Sequence, residues 1–252
     1  MGLFDKIFGK KDASAAATVS ANVQPVEDEA PVLTLDMSKH AANLDAALFD
    51  MSKASKVDMS KHTAQVVMFM DYSISMQGMF QDSTVQKTVT RLLPVALKFD
   101  DNGILESYLF SNGCEKLAPV TSANYLDYVN KIMVRARMRM GGTQYAPALK
   151  AVLDETVNNK IPTFVIFITD GDNQDKEYTN EVVRELSKHN VFVQFIGIGT
   201  GSDFKYLRNL DNLSGREHDN TGFIEVKDMN KMDDQQLYTE MLRQYIAWLN
   251  NK

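Results

Sequence analysis

The stretch "VVMFMDYSIS" (66–75) ends an unbroken apolar run in a carboxylate, Asp71, followed by hydroxyls on alternate positions, Ser73 and Ser75. Alternate positions of an extended segment point the same way, so these three side chains can converge. Two more oxygen bearers lie further along. Thr143 follows Gly141 and Gly142, whose missing side chains let the backbone approach closely. Asp170 closes the apolar run of "FITDGDNQD". Carboxylates and hydroxyls are hard donors. They suit magnesium or manganese, which keep octahedral geometry and some waters, ahead of calcium; the absence of sulfur and imidazole argues against zinc or copper. Each piece alone is also an ordinary turn or helix cap. Only the three together, in this order, are specific.

The elements that carry them follow from the hydrophobic pattern. "VVMFM" and "TFVIFIT" (163–169) are continuous apolar runs, as in strands buried on both faces. Further strands are expected at 104–110, 191–199 and 222–226. Helical spacing is expected over 84–99, 124–133, 143–157, 180–190, 203–211 and 235–249. Pro94 should kink or break the first of these. Strands alternating with helices predict a doubly wound α/β fold, with a mostly parallel central sheet and helices on both faces. Ligands of such sheets bind beyond the carboxyl ends of the strands, at the topological switch point. Asp71, Thr143 and Asp170 are therefore expected at strand tips or the helix starts beside them. Asp172, Asn173 and Asp175 could add negative potential or a contact behind the ligands, but the simpler reading is a solvated acidic loop. Arg135, Arg137 and Arg139 alternate before the glycines; they suit an acidic partner near the site, but an exposed extended face explains them equally well.

Ahead of this core lies a degenerate repeat over 35–63, "LDMSKHA", "FDMSKAS" and "VDMSKHT", too unevenly spaced for a solenoid. It reads as a packing arm leading into the first strand, with Leu44, Ala47, Leu48 and Met51 as one helical stripe. A metal role for His40 and His62 is disfavoured, because neighbouring ligands are missing from the sequence around them. Residues 12–34 are small, polar and acidic, as in a linker. Residues 1–11, "MGLFDKIFGKK", form a short amphipathic segment suited to weak docking on a membrane surface or a partner. Lysines and Asp5 interrupt any secretory apolar region there, and Lys6 occupies the position where myristoylation requires Ser or Thr. The main domain is expected over 64–252.

The 252 residues, 44% of them hydrophobic, suffice for one large core. A net charge of -6 leaves no cationic excess for general nucleic-acid binding. The single cysteine, Cys114, excludes an intrachain disulfide and fits a cytoplasmic setting, membrane-associated if residues 1–11 dock. No apolar stretch approaches the roughly 20 residues of a membrane-spanning helix.

Asp-x-Ser-x-Ser, a distant Thr and then Thr-Asp-Gly together resemble the metal-ion-dependent adhesion site of von Willebrand factor A domains. The chain is similar in particular to the A-domain branch of TerF-type tellurium-resistance proteins. The matching stretches are "LLPVALKFDDNG" (92–103), "GGTQYAPALKAVLDE" (141–155), "FVIFITDGDNQDK" (164–176), "VQFIGIG" (193–199), "LDNLSGREHDNTGFIEV" (210–226) and "QLYTEMLRQYIAWL" (236–249). The resemblance implies that Ser73, Ser75 and Thr143 give hydroxyls to a magnesium or manganese ion, with Asp71 and Asp170 acting directly or through water. It implies a non-enzymatic adhesion or scaffold module that captures an Asp or Glu of a partner, within a bacterial tellurite and stress-resistance system. Other proteins of that system are the expected partners. The family usually has Gly where Ile74 stands, and a β-branched residue would strain a left-handed turn there. A degenerate domain without metal is therefore one alternative. A metal-dependent phosphatase-like hydrolase is another, although Ser73 stands where such an enzyme needs a second carboxylate.

Overall fold

A computed structural model describes residues 35–53, 55–156, 159–200 and 204–252. The expectations for segments 1–11 and 12–34 lie outside the described residues. Leu33–Lys252 forms one compact unit. Its elements run α1 (Leu35–Ser52), β1 (Gln65–Asp71), α2 (Gln77–Gln81), α3 (Thr84–Phe99), β2 (Glu106–Phe110), β3 (Cys114–Lys116) and α4 (Tyr128–Lys131). They continue with α5 (Ala146–Thr156), β4 (Thr163–Thr169), α6 (Lys176–Leu186), β5 (Val191–Ile198), α7 (Lys205–Asp211), β6 (Thr221–Val226) and α8 (Asp234–Asn251).

The sheet has six strands in the order β3-β2-β1-β4-β5-β6. All neighbours pair in parallel except the β2–β3 hairpin. The chain leaves β1 toward β2 on one side and returns to β4 on the other, so the switch point falls between β1 and β4. Period-2 alternation feeds two cores. Val66, Met68 and Met70 pack with Leu44 of α1, Val89 of α3 and Leu242 of α8. Val67 and Phe69 pack on the opposite face with Leu149 of α5, Val183 of α6 and Leu207 of α7. Each such side chain, fully buried, stabilises the fold by roughly 1.5–3 kcal/mol. This is the doubly wound α/β arrangement that the sequence predicts.

Three local expectations need correction. Helix α3 runs unbroken through Pro94. The proline removes one backbone bond, at about 3 kcal/mol, but Leu92, Leu93, Val95 and Ala96 around it are all fully buried, and their packing outweighs it. The single helix expected at 124–133 is instead a 3-10 turn (Tyr125–Asp127), the short α4 and a second 3-10 turn (Met133–Arg135). The hairpin strand β3 follows β2 at a place where three half-exposed residues carry no alternation to read.

The repeat arm packs on α8. Met37 and Met59, from the first and last copies, are buried. His40 Nδ1 lies 2.6 Å from Asp234 Oδ2, and His62 Nε2 lies 2.8 Å from the Tyr245 hydroxyl. The two repeated histidines thus fasten the arm to one helix. His40 does have carboxylate partners: Asp234, far away in sequence, and Asp36, one helical turn earlier, at 3.8 Å. Asp234 also accepts from Arg91 Nε at 2.6 Å and Asn43 Nδ2 at 3.0 Å. The Arg91 guanidinium and the Asp234 carboxylate are nearly enclosed, with side-chain exposures of 8% and 10%.

Candidate metal centre

Strand β1 delivers Asp71, wholly buried, to the carboxyl edge of the sheet. Its carboxylate is held from two directions. Oδ1 accepts from the Ser73 backbone N–H at 2.8 Å, and Oδ2 accepts from the Thr169 hydroxyl at 2.6 Å. Thr169 is the last residue of β4, so the bond joins the two strands that flank the switch point. Burial pushes the Asp71 carboxyl up to about 6, against the opposing pull of the Thr169 and Ser73 hydrogen bonds.

The chain turns after Ser73 into a 3-10 turn, Ile74–Met76. The Ser73 hydroxyl lies 3.0 Å from that of Ser75, and the Ser75 hydroxyl donates to Asp170 Oδ1 at 2.9 Å. Burial also raises the Asp170 carboxyl above its ordinary value, against the Ser75 hydrogen bond. The first and third tips therefore meet through a chain of hydroxyls. Ile74 sits in a right-handed turn; among the described residues Ser83 alone is a non-glycine with positive φ. The strain expected of a β-branched residue at this position is absent, because the turn never enters the left-handed region. Ile74 instead points outward, 66% exposed.

Thr143 reaches the same edge by its backbone. Gly141 forms an isolated parallel bridge with Ser73; the Ile74 N–H donates to the Gly141 carbonyl at 3.0 Å. A Cβ at Gly142 would meet Gln174 Oε1 at 2.5 Å and Asn112 Oδ1 at 2.6 Å, so a larger residue here would push these two side-chain ends aside. The Gln174 N–H donates to the Thr143 carbonyl at 2.9 Å. Thr143 lies three positions before Ala146, the first residue of α5, and does not open the helix. Its hydroxyl stands outside the hydrogen-bonded chain of the other four residues, among the described residues.

The loop after Asp170 differs from the solvated acidic loop that the sequence suggests. Asp172 is exposed and ion-paired with Lys176, as expected. Asp175 is not free in solvent: its carboxylate accepts from the Tyr145 and Ala146 N–H groups, each at 2.9 Å, capping α5. Asn173 is 5% exposed and donates to Asp175 and Thr179. This cap fixes the Thr143 loop to the Asp170 loop. Asp175 and Asn112, which hold the site from behind, carry no local sequence signal, since each acts on a residue at least 29 positions away, whereas Thr169 is the Thr of the Thr-Asp-Gly stretch.

The donor set fits a hard divalent cation. Two carboxylates, one of them stripped of water by burial, and two linked hydroxyls converge where positive charge would compensate the desolvation. Among the described residues no group of three or more His, Cys, Asp or Glu side chains could hold a metal by itself, so any ion here depends on the hydroxyls.

A doubly wound sheet with Asp-x-Ser-x-Ser at its switch point, beside Thr and Asp from two further loops, defines a von Willebrand factor A-type domain. The family model for the vWA domain found in the TerF C terminus matches residues 63–252, and the chain belongs to this vWA-TerF-like family. It is 34% identical over 214 residues to uncharacterized protein YcbR of Bacillus subtilis (strain 168), covering 81% of this chain and 87% of that one. Solved structures share the fold. Manganese-loaded TRAP protein of Plasmodium vivax is 20% identical, with a TM-score of 0.52 over 73% of this chain and 74% of that one. Proximal thread matrix protein 1 of the mussel byssus, with a zinc occupied MIDAS motif, is 18% identical, with a TM-score of 0.51 over 74% of this chain. This chain spans 47% of that one, about half its length.

Proposed function

We propose that this protein is a metal-dependent protein-binding module. A magnesium or manganese ion is held by Ser73, Ser75 and Thr143, with Asp71 and Asp170 as direct or water-mediated ligands. A carboxylate from a partner protein completes the coordination, so the ion becomes part of the interface. The observation that carries this reading is the Ser73–Ser75–Asp170 chain, with 3.0 and 2.9 Å links, beside the buried Asp71 carboxylate. Oxygens converge here from separate loops, as a hard cation requires. Asp71 is bonded to Thr169 and the Ser73 amide, and Ser75 to Asp170, so these groups are joined as one oxygen-rich cluster. The zinc-occupied mussel protein and the manganese-loaded Plasmodium vivax protein, which share the fold, support a divalent ion. The TerF-type membership supports a scaffold role in a bacterial tellurite and stress-resistance system.

Titration calorimetry with magnesium and with manganese tests the reading. Saturable binding is expected for the intact chain and should be lost in Ser73→Ala and Asp170→Asn, with circular dichroism unchanged. Saturable binding that survives in both variants, or no binding in the intact chain, would overturn it.

A further inference from the structure

Beside the proposed metal centre runs a basic ridge. Arg135, Arg137 and Arg139 are all exposed, and they alternate with Ala136, Met138 and Met140, which turn inward onto the core. Arg135 closes a 3-10 turn, and the chain beyond it is extended, with Ala136 at φ -57 and ψ 156. Arg137 and Arg139 are therefore about 6.6 Å apart along the backbone.

The ridge is fixed at both ends of its extended part. Glu115 accepts from the Arg137 N–H at 3.1 Å and from the Met138 N–H at 2.6 Å. The Ser111 hydroxyl donates to the Arg139 carbonyl at 3.3 Å. These contacts use backbone groups and leave the guanidinium heads outward. Among the described residues none of the three heads is in an ion pair, in a chain whose net charge is -6. Two residues past Arg139, Gly141 bridges to Ser73, so the ridge is continuous with the loop that carries the metal ligands. Exposed apolar side chains stand at its two ends: Val134, 52% exposed, and Ile74, 66% exposed.

We infer that the ridge is the second half of the partner-binding surface, and that it takes an extended acidic segment whose carboxylates fall on alternate residues. One carboxylate goes to the ion, on the reading above. The next ones along the same face meet Arg139 and Arg137, and apolar residues beside them cover Ile74 and Val134. Alternate residues of an extended peptide repeat at the spacing of the two arginines, which gives bidentate guanidinium–carboxylate pairing in register. Charge complementarity of this kind sets partner choice and association rate.

The probe is a fluorescein-labelled ten-residue peptide of alternating Glu and Gly, followed by fluorescence anisotropy with the full chain in manganese chloride and in EDTA. Manganese binding is measured separately by calorimetry. The expected result is manganese-dependent peptide binding that weakens about tenfold or more in Arg137→Glu/Arg139→Glu, with manganese affinity unchanged. Peptide binding that EDTA abolishes but the double reversal leaves intact overturns the ridge and keeps the metal reading. Binding that ignores EDTA but is lost in the double reversal keeps the acidic dock and overturns the metal reading. An oligothymidylate of matched charge that binds as tightly as the peptide overturns the inference in favour of a general polyanion surface, as does no peptide binding at all.

Discussion

His40 and Asp234 stand 194 residues apart in sequence and meet at 2.6 Å, with Arg91 on the other oxygen of the same carboxylate. The Arg91 guanidinium also donates to the carbonyls of Met229 and Met232, so each of its nitrogens is used. Asp234→Ala would leave an enclosed guanidinium without its counter-charge. It should cost about 3–5 kcal/mol of unfolding free energy, read from urea denaturation. Arg91→Met with Asp234→Leu, which removes both charges together, should cost much less.

The same carboxylate sets a pH limit. Hydrogen bonds from His40 and Asn43, and the Arg91 charge, outweigh burial and hold the Asp234 carboxyl below its ordinary value. A depressed carboxylate contributes stability that is complete above its unfolded pKa, about 3.9, and is lost as pH falls further. Thermal melts of wild type should therefore fall steeply below roughly pH 4, and those of the Arg91→Met/Asp234→Leu variant less steeply. Equal slopes would remove the assignment.

His62 works in a higher window. Burial beside Phe99 and Tyr245 lowers its pKa, so the unfolded chain takes up the proton first as pH falls. Stability should decline as pH drops through the ordinary histidine range, near roughly 6.5, toward the lower folded value. His62→Phe should flatten the wild-type slope between pH 7 and 5. The comparison is made by denaturant midpoints at each pH.

On the proposed reading, Thr169 orients the ligand Asp71 through its hydroxyl. Thr169→Val keeps the shape and removes the 2.6 Å donor to Asp71 Oδ2. Manganese affinity should drop about tenfold, because partners that orient a ligand typically cost 10–100-fold when removed. Stability should fall by about 1–3 kcal/mol, since a buried acceptor is left unsatisfied. Calorimetry and urea denaturation read the two effects separately.

Gly197, in β5, faces Phe204. A Cβ there would meet the buried ring at 2.7 to 2.9 Å, with Phe204 only 1% exposed. Gly197→Ala should destabilise by about 1–3 kcal/mol through overpacking, measured by denaturation.

What could be read in advance divides by the range of the forces involved. The runs "VVMFM" and "TFVIFIT" announce doubly covered strands because both faces of a central parallel strand are dry, and burial writes itself into every residue. Asp71, Ser73, Ser75, Thr143 and Asp170 were legible as residue types at strand tips and loops, and the structure brings four of them into one hydrogen-bonded network. The clamp residues were not. Asp175 looks like one more acid in an acidic loop until α5 is seen to begin on it. Glu115 looks like any surface glutamate until two backbone amides from 137 and 138 are found on its carboxylate. Pro94 misleads in the opposite direction, since a local rule about backbone bonds loses to the packing around it.

The Asp71–Thr169 bond joins residues 98 positions apart, and the Ser75–Asp170 bond joins residues 95 apart. Contacts of such separation form late in folding, after the loop-closure entropy of the intervening chain has been overcome. A nascent chain has no binding centre until β4 has been synthesised and has docked against β1. The ion on the proposed reading cannot nucleate folding, then, and can only favour the finished state. Manganese should slow unfolding while leaving the refolding rate unchanged, so the metal would act as a lock on the completed sheet.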